Sequence, residues 1–168
     1  MEKRYQWTFH YSRSVGEELA TAQAVTGIEP ANFLKAALFN SRLILEALRG
    51  ESGKQLVEVD AKGNPIQETV AKEEDDYGFY AQLLEDVDDL RPDHTTLSFF
   101  LSQEAGDSIE AEVARLGNQS LDSFAYNALR IGRELLADEL GGVYREIVHP
   151  DGFRMRLSMI DFPFLDVL

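Results

Sequence analysis

The 168-residue sequence contains no cysteine, which excludes disulfides and thiolate metal sites and is compatible with a reducing compartment. It also lacks any apolar run that approaches the roughly 18 to 20 residues needed to span a membrane. The first residues lead into Tyr, Gln and His rather than into the apolar core of a secretory signal. Since 44% of its residues are hydrophobic, the chain can form a proper core, and we expect a soluble, cytoplasmic protein with no membrane partner.

Basic residues are scarce, because 16 Lys and Arg stand against 30 Asp and Glu and leave a net charge of −14. Residues 1–70 hold 8 basic and 9 acidic residues, residues 71–94 hold 2 and 9, and residues 95–168 hold 6 and 12. The short middle segment therefore carries −7, half of the excess. Affinity for nucleic acid depends on Lys and Arg displacing counterions, so the overall charge opposes it.

Recognisable catalytic and metal-binding motifs are absent from the sequence. His10, His94 and His149 share no ligand spacing, no thiol is present as a nucleophile, and no glycine-rich phosphate loop follows a strand pattern. One acidic cluster could gather a divalent cation, but it lacks the spacing and the glycine of a calcium loop. Its members are Glu85, Asp86, Asp88 and Asp89. The sequence therefore predicts no enzyme, no catalytic residue, no metal and no cofactor.

An internal repeat organises the chain. Residues 7–12 read WTFHYS and residues 97–102 read LSFFLS, and each stretch precedes two helical patterns of nearly equal length. An offset of 90 matches the first part of each copy and an offset of 91 matches the second part. The matched pairs include Phe9 with Phe99, Ser12 with Ser102, Gly16 with Gly106, Gly27 with Gly117, Ala37 with Ala128, and Arg42 with Arg133. Two consistent registers with matched glycines indicate a diverged duplication.

The first copy reads as a strand followed by two helices. Apolar and polar residues alternate over residues 5–11, as in a half-buried strand. Ser14 with Glu17 fits a capping box for a first helix that ends at Gly27. A second helix begins at Pro30 and runs to about Arg49, and its apolar positions are broad enough to require cover on two sides.

The second copy repeats this order, with a strand over 95–101, a helix from about 104 to 116 and a helix that runs from the cap Ser120 to 140. A β-hairpin is predicted after each copy, and an acidic linker with a short amphipathic helix over 77–90 joins the two. The predicted hairpin strands are 56–59 with 66–70 and 143–148 with 153–159. The predicted division is 1–70 for the first repeat with its hairpin, 71–94 for the linker, and 95–168 for the second repeat with its hairpin and an apolar tail.

A strand followed by two helices, the second too apolar to stand alone, resembles the ribbon-helix-helix family over residues 4–50 and 95–141. The resemblance implies an α+β fold in which tandem ribbon-helix-helix-like repeats form an intramolecular pseudo-dimer, each followed by a hairpin. The strand at 5–11 would then pair antiparallel with the strand at 95–101 as a two-stranded ribbon.

Family members that bind DNA insert the ribbon into the major groove, so the resemblance implies double-stranded DNA as a partner. Arg and Gln suit bidentate contacts to guanine and adenine edges, whereas Phe100 offers only apolar contact. Trp7 and Phe99 are better suited to the core than to stacking on bases. His10 and Phe100 point the other way and fit either packing or base stacking. The outward ribbon positions are Arg4, Gln6, Thr8, His10, Thr96, Ser98 and Phe100.

The resemblance also implies phosphate contacts at the start of each second helix, where free backbone N–H groups attract anions. Glu29 and Asp122 would repel phosphate there, and Pro30 removes a donor. The candidate phosphate contacts are Asn32, Asn118, Gln119 and Ser120.

The sequence supports two alternative functions. The polar face of the ribbon favours a transcriptional regulator that binds DNA. Its acidic linker or hairpins would bind a protein partner. The net charge favours an acidic protein-interaction module of the same fold that has lost DNA binding, such as an antitoxin, an anti-repressor or a DNA mimic.

Overall fold

The computed structural model describes residues 4–49, 53–66, 95–116 and 120–161. The predicted helix at 77–90, its acidic cluster, and the apolar tail after residue 161 lie outside these ranges. The described residues form a mixed α+β structure with two antiparallel sheets and four helices. In chain order the elements are β1 Arg4–Tyr11, α1 Arg13–Thr26, α2 Pro30–Arg49, β2 Gln55–Val59, β3 Thr95–Ser102, α3 Gln103–Arg115, α4 Leu121–Leu140, β4 Tyr144–Val148 and β5 Arg154–Leu157.

The strands β1 and β3 pair antiparallel over their full length, from Arg4 opposite Ser102 to Tyr11 opposite Thr95. This pairing confirms the predicted ribbon. The alternating apolar residues of both strands face the core, where the rings of Trp7 and Phe99 stack with their centroids 6.2 Å apart. Because side chains alternate along a strand, the polar residues between them face outward.

The matched serines Ser12 and Ser102 cap α1 and α3. Ser12 is extended, with φ −77° and ψ 164°, and its Oγ accepts a hydrogen bond from the Val15 amide at 3.4 Å. Ser102 accepts from the Ala105 amide at 3.1 Å in the same way. The predicted capping box at Ser14 is therefore wrong, because a cap requires extended backbone and Ser14 already lies inside the helix.

Helices α2 and α4 form the centre of the core. A Cβ at Gly132 would lie only 3.0 Å from Cβ of Ala37, so the two helices cross in close contact. Buried residues surround both helices on more than one side, as their broad apolar patterns predicted. The fully buried large side chains of these helices are Phe33, Leu34, Leu38, Ile44, Leu45, Phe124 and Ile131. No described helix has the length and apolar character needed to cross a membrane.

The second sheet joins the two halves of the chain. Its strand order is β2-β4-β5. The strand β2 therefore pairs with β4 from the second half of the chain, a contact that the predicted hairpins did not include. The β4–β5 hairpin is confirmed with shorter strands, and Phe153 lies 57% exposed before β5 begins. In the hairpin predicted after the first copy, a single bridge joins Val59 to Pro65, at the start of the returning strand. Residues 67–70 of that strand lie outside the described residues.

Candidate functional site

The outward side of the β1–β3 ribbon is an exposed surface backed by the helical core. We call it the ribbon face and define it by the six exposed residues Gln6, Thr8, His10, Thr96, Ser98 and Phe100. These are the predicted ribbon positions with the exception of Arg4, whose backbone lies in β1 but whose side chain is outside the description. The ribbon face carries no formal charge when His10 is neutral.

Thr8 and Ser98 mark the centre of the ribbon face. They lie directly opposite each other, and their hydroxyl oxygens are 3.1 Å apart and hydrogen-bonded. The offset of 90 residues also makes Ser98 the counterpart of Thr8 in the second copy. Thr8 and Ser98 thus face each other across the ribbon at positions that the sequence repeat matches.

The two sides of the Thr8–Ser98 pair carry different chemistry. On one side Gln6 lies opposite Phe100, whose side chain is 50% exposed. On the other side His10 lies opposite Thr96. Gln6 corresponds to Thr96 and His10 to Phe100 by the repeat offset, so neither side is a copy of the other.

An acidic residue holds the His10 side of the ribbon to α4. The His10 amide donates to Oδ1 of Asp122 at 3.2 Å, and Nδ1 of its imidazole lies 3.2 Å from Oδ2. Asp122 is in the first turn of α4, where the helix dipole favours a carboxylate. The sequence identified Asp122 as a residue that would repel phosphate, but not its contacts with His10, which lies 112 residues earlier.

Two of the four predicted phosphate contacts are described. Asn32 is half-buried in the first turn of α2. In the same turn, the Phe33 amide donates to the Glu29 carbonyl at 2.9 Å. The Oγ of Ser120 accepts from the Ser123 amide at 3.0 Å and caps α4. Asn118 and Gln119 lie outside the described residues. The structure thus brings Ser120 into the capping role that its position predicted, and its hydroxyl is already engaged there.

Further acidic residues lie at the Tyr5 end of the ribbon. The Tyr5 hydroxyl donates a short hydrogen bond to Oε1 of Glu110 on α3. Burial, the Glu110 carboxylate and the charge of Asp107 raise the pKa of Tyr5 to about 12. The sequence did not single out Tyr5 for this role, because the alternating pattern specifies only that its ring faces the helices.

The described residues contain no group of three or more His, Asp and Glu side chains placed to hold a metal ion. Comparisons with protein-family models, curated proteins and solved structures give no match to the chain.

Proposed function

We propose that the chain is a tandem ribbon-helix-helix protein whose two units interlock, and that the ribbon face recognises double-stranded DNA. The interlocked arrangement is supported by the antiparallel ribbon, by the Thr8–Ser98 pair and by the close crossing of α2 and α4. These are the relations expected when two equivalent strand-helix-helix units share one core.

The observation that carries DNA recognition is a two-stranded ribbon with one exposed face and one face buried on the core. The major groove of B-DNA admits a two-stranded β-ribbon, and its base edges present hydrogen-bond donors, acceptors and thymine methyl groups. Gln6 suits a bidentate contact to adenine, Thr8 and Ser98 suit either donors or acceptors, and Phe100 suits a thymine methyl.

The unequal sides of the ribbon face also bear on the kind of DNA sequence recognised. A symmetric dimer favours a palindromic site, because each half presents the same side chains. Here one side presents Gln6 and Phe100 and the other presents His10 and Thr96. A recognised sequence should therefore lack twofold symmetry.

A protein-interaction module is the second candidate, and Asp122 favours it. Its carboxylate lies at the start of α4, where a ribbon-helix-helix protein would approach phosphate, and the chain carries a net charge of −14. The Asp122 carboxylate and a DNA phosphate at that position would repel each other. A basic protein segment would be attracted there instead.

A salt titration separates the two functions. Fluorescence anisotropy with a random-sequence duplex should give binding at low salt that weakens steeply as salt rises, because phosphate contacts release counterions. Sequence selection from a random duplex library would then define the site, and Gln6→Ala should relax base preference on one side of it. No binding at low salt would remove the case for DNA.

Asp122→Asn tests the role of the acidic residue. If DNA is bound, this change should strengthen binding by removing repulsion, whereas attraction to a basic peptide should weaken. Glu17→Gln is the matched control, since it removes the same charge from an exposed position on α1. An Asp122→Asn effect no larger than that of Glu17→Gln would separate Asp122 from either interface.

A further inference from the structure

A pocket of 210 Å³ lies between α2 and α3, beside the end of β3. The buried side chains of Leu101 and Ile109 give it an apolar lining, and Phe39 adds an aromatic ring. Arg42 also lines the pocket, with its guanidinium carbon 5.4 Å from the centre of the Phe39 ring. Ser108 adds a hydroxyl, Lys35 adds a second cation, and the exposed Glu104 adds one carboxylate.

An ion pair between α4 and α1 occupies the position equivalent to Arg42 and Ser108. Arg133, the counterpart of Arg42, places Nη1 2.7 Å from Oε1 of Glu18 on α1. The counterpart of Glu18 at an offset of 90 is Ser108, which is short and neutral. The carboxylate that pairs with Arg133 is therefore replaced by a hydroxyl at the equivalent position beside Arg42.

Two further substitutions between the copies enlarge the space. Leu101 stands where the first copy has Tyr11, and Ala105 stands where it has Val15. Both replacements shorten the side chain, as does Ser108 in place of Glu18. Three lining side chains are therefore shorter than their counterparts, whereas Glu104 is longer than its counterpart Ser14.

Arg42 forms no ion pair within the described ranges. The nearest carboxylate along α2 belongs to Glu46, and Nζ of Lys54 donates to it at 2.7 Å. That hydrogen bond is the main cause that lowers the pKa of Glu46, with smaller contributions from the charges of Lys54 and Arg42. Arg42 is thus a half-buried cation at the edge of an apolar pocket.

We propose that this pocket binds a small organic monocarboxylate, whose carboxylate pairs with Arg42 where Glu18 pairs with Arg133. The planar guanidinium matches a carboxylate in a two-point contact, and Ser108 supplies a further hydroxyl donor. The apolar body of the ligand packs on Leu101, Ile109 and Phe39. The two cations Lys35 and Arg42 and the single carboxylate of Glu104 leave the lining with one excess positive charge, which matches one carboxylate on the ligand.

The size of the pocket agrees with a ligand of this class. A protein cavity of roughly 150 Å³ accepts benzene. The 210 Å³ here leaves room for a ring of that size with a carboxylate attached. This inference does not depend on DNA binding, because the pocket is separate from the ribbon face.

Benzoate is a suitable probe, and benzamide is a neutral control of nearly equal shape. Both are titrated into the full chain and followed by two-dimensional amide NMR. Benzoate should produce saturable shifts centred on α2, α3 and the end of β3, and benzamide should bind at least about tenfold more weakly because it lacks the charge-assisted contact. Absence of saturable benzoate shifts, or shifts centred elsewhere, would overturn the proposal.

Two variants assign the binding to the pocket. Arg42→Gln should weaken benzoate binding at least about tenfold by removing the charge. Ser108→Glu should abolish it, because this change introduces a carboxylate at the position equivalent to Glu18, which pairs with Arg133. Benzoate affinity unchanged in both variants would overturn the proposal.

Matched controls separate binding from folding. Arg133→Gln neutralises the counterpart arginine and should leave benzoate affinity unchanged, and Ser108→Ala should weaken it less than Ser108→Glu. Thermal melts identify any variant that fails to fold. If Ser108→Glu does not fold, the comparison of Arg42→Gln with Arg133→Gln decides, and equal affinities in those two would count against the site.

Discussion

The ring of Tyr5 packs directly on Gly106, so that a Cβ at residue 106 would lie 2.3 Å from Cγ of the tyrosine. This contact fixes the start of α3 against the ribbon. The matched Gly16 of α1 lies against Tyr11 in a looser contact, where a Cβ would be 3.1 Å from Cε2. The repeated glycine thus serves close approach between helix and ribbon in both copies, but with different tightness.

Gly106→Ala should destabilise the protein by roughly 1 to 3 kcal/mol, because the added methyl group forces Tyr5 away from α3. Gly16→Ala is the matched control and should be nearly neutral, since alanine gains about 1 kcal/mol of helix propensity over glycine and the Tyr11 ring edge has to shift only slightly. Urea denaturation gives the free energy of unfolding of each variant. Equal losses in the two variants would contradict the unequal contacts.

The Arg49–Glu112 ion pair should contribute far more to the free energy of unfolding than an exposed ion pair does. Its two N–O distances are 2.6 and 2.8 Å, and the Glu112 side chain is 9% exposed. Arg49→Met should cost about 3 kcal/mol or more in the free energy of unfolding, because it leaves a buried carboxylate without its cation. Glu17→Gln, which breaks the exposed pair with Arg13, should change stability by less than about 1 kcal/mol.

A double-mutant cycle checks this prediction. Combining Arg49→Met with Glu112→Leu should recover part of the loss, since no uncompensated charge then remains. Strict additivity of the two single changes would show that the pair is not coupled.

The raised pKa of Tyr5 predicts a specific alkaline dependence of stability. Its neutral form is favoured in the folded chain, so the pKa rises from 10.0 to about 12. The resulting stabilisation is complete below pH 10.0 and is lost as the pH rises through about 12. Tyr5→Phe removes this contribution, and the advantage of the parent over the variant should shrink across that window.

Denaturation at several alkaline pH values measures the effect. Glu110→Gln should move the late tyrosine titration, followed by ultraviolet absorbance, toward its ordinary range, because the negative charge that helps raise the pKa of Tyr5 is lost. If Tyr5→Phe and the parent lose stability in parallel, the Tyr5 contact with Glu110 does not govern this titration.

Separated halves of the chain should not fold alone. The ribbon pairs β1 with β3, the second sheet pairs β2 with β4, and α2 packs on α4. A fragment of residues 1–70 would therefore expose one side of α2 and two unpaired strand edges. It should show no cooperative, concentration-independent melt, whereas mixing it with residues 95–168 should restore helical circular dichroism. A cooperative monomeric melt of residues 1–70 would argue against interlocked units.

Much of the local structure could be predicted from sequence. Alternation over residues 5–11 and 95–101 specified two strands and their buried faces, because side chains on a strand alternate with period two. Pro30 marked the start of α2, and the repeat offset predicted that Thr8 and Ser98 occupy equivalent positions. The position of the ribbon face, including the exposure of Phe100, followed from the same periodicity.

Contacts between distant residues depended on the tertiary structure. The pairing of β2 with β4, the bond from His10 to Asp122 and the ion pair between Arg49 and Glu112 each join segments more than 60 residues apart. Nothing in a local pattern selects one distant edge or charge over another, because strands and ion pairs accept many partners of the right kind. The packing of α2 against α4 selects among them, since it brings distant segments of the chain into one core. It thereby sets which strand edges meet, which arginine is paired and which lies beside a pocket.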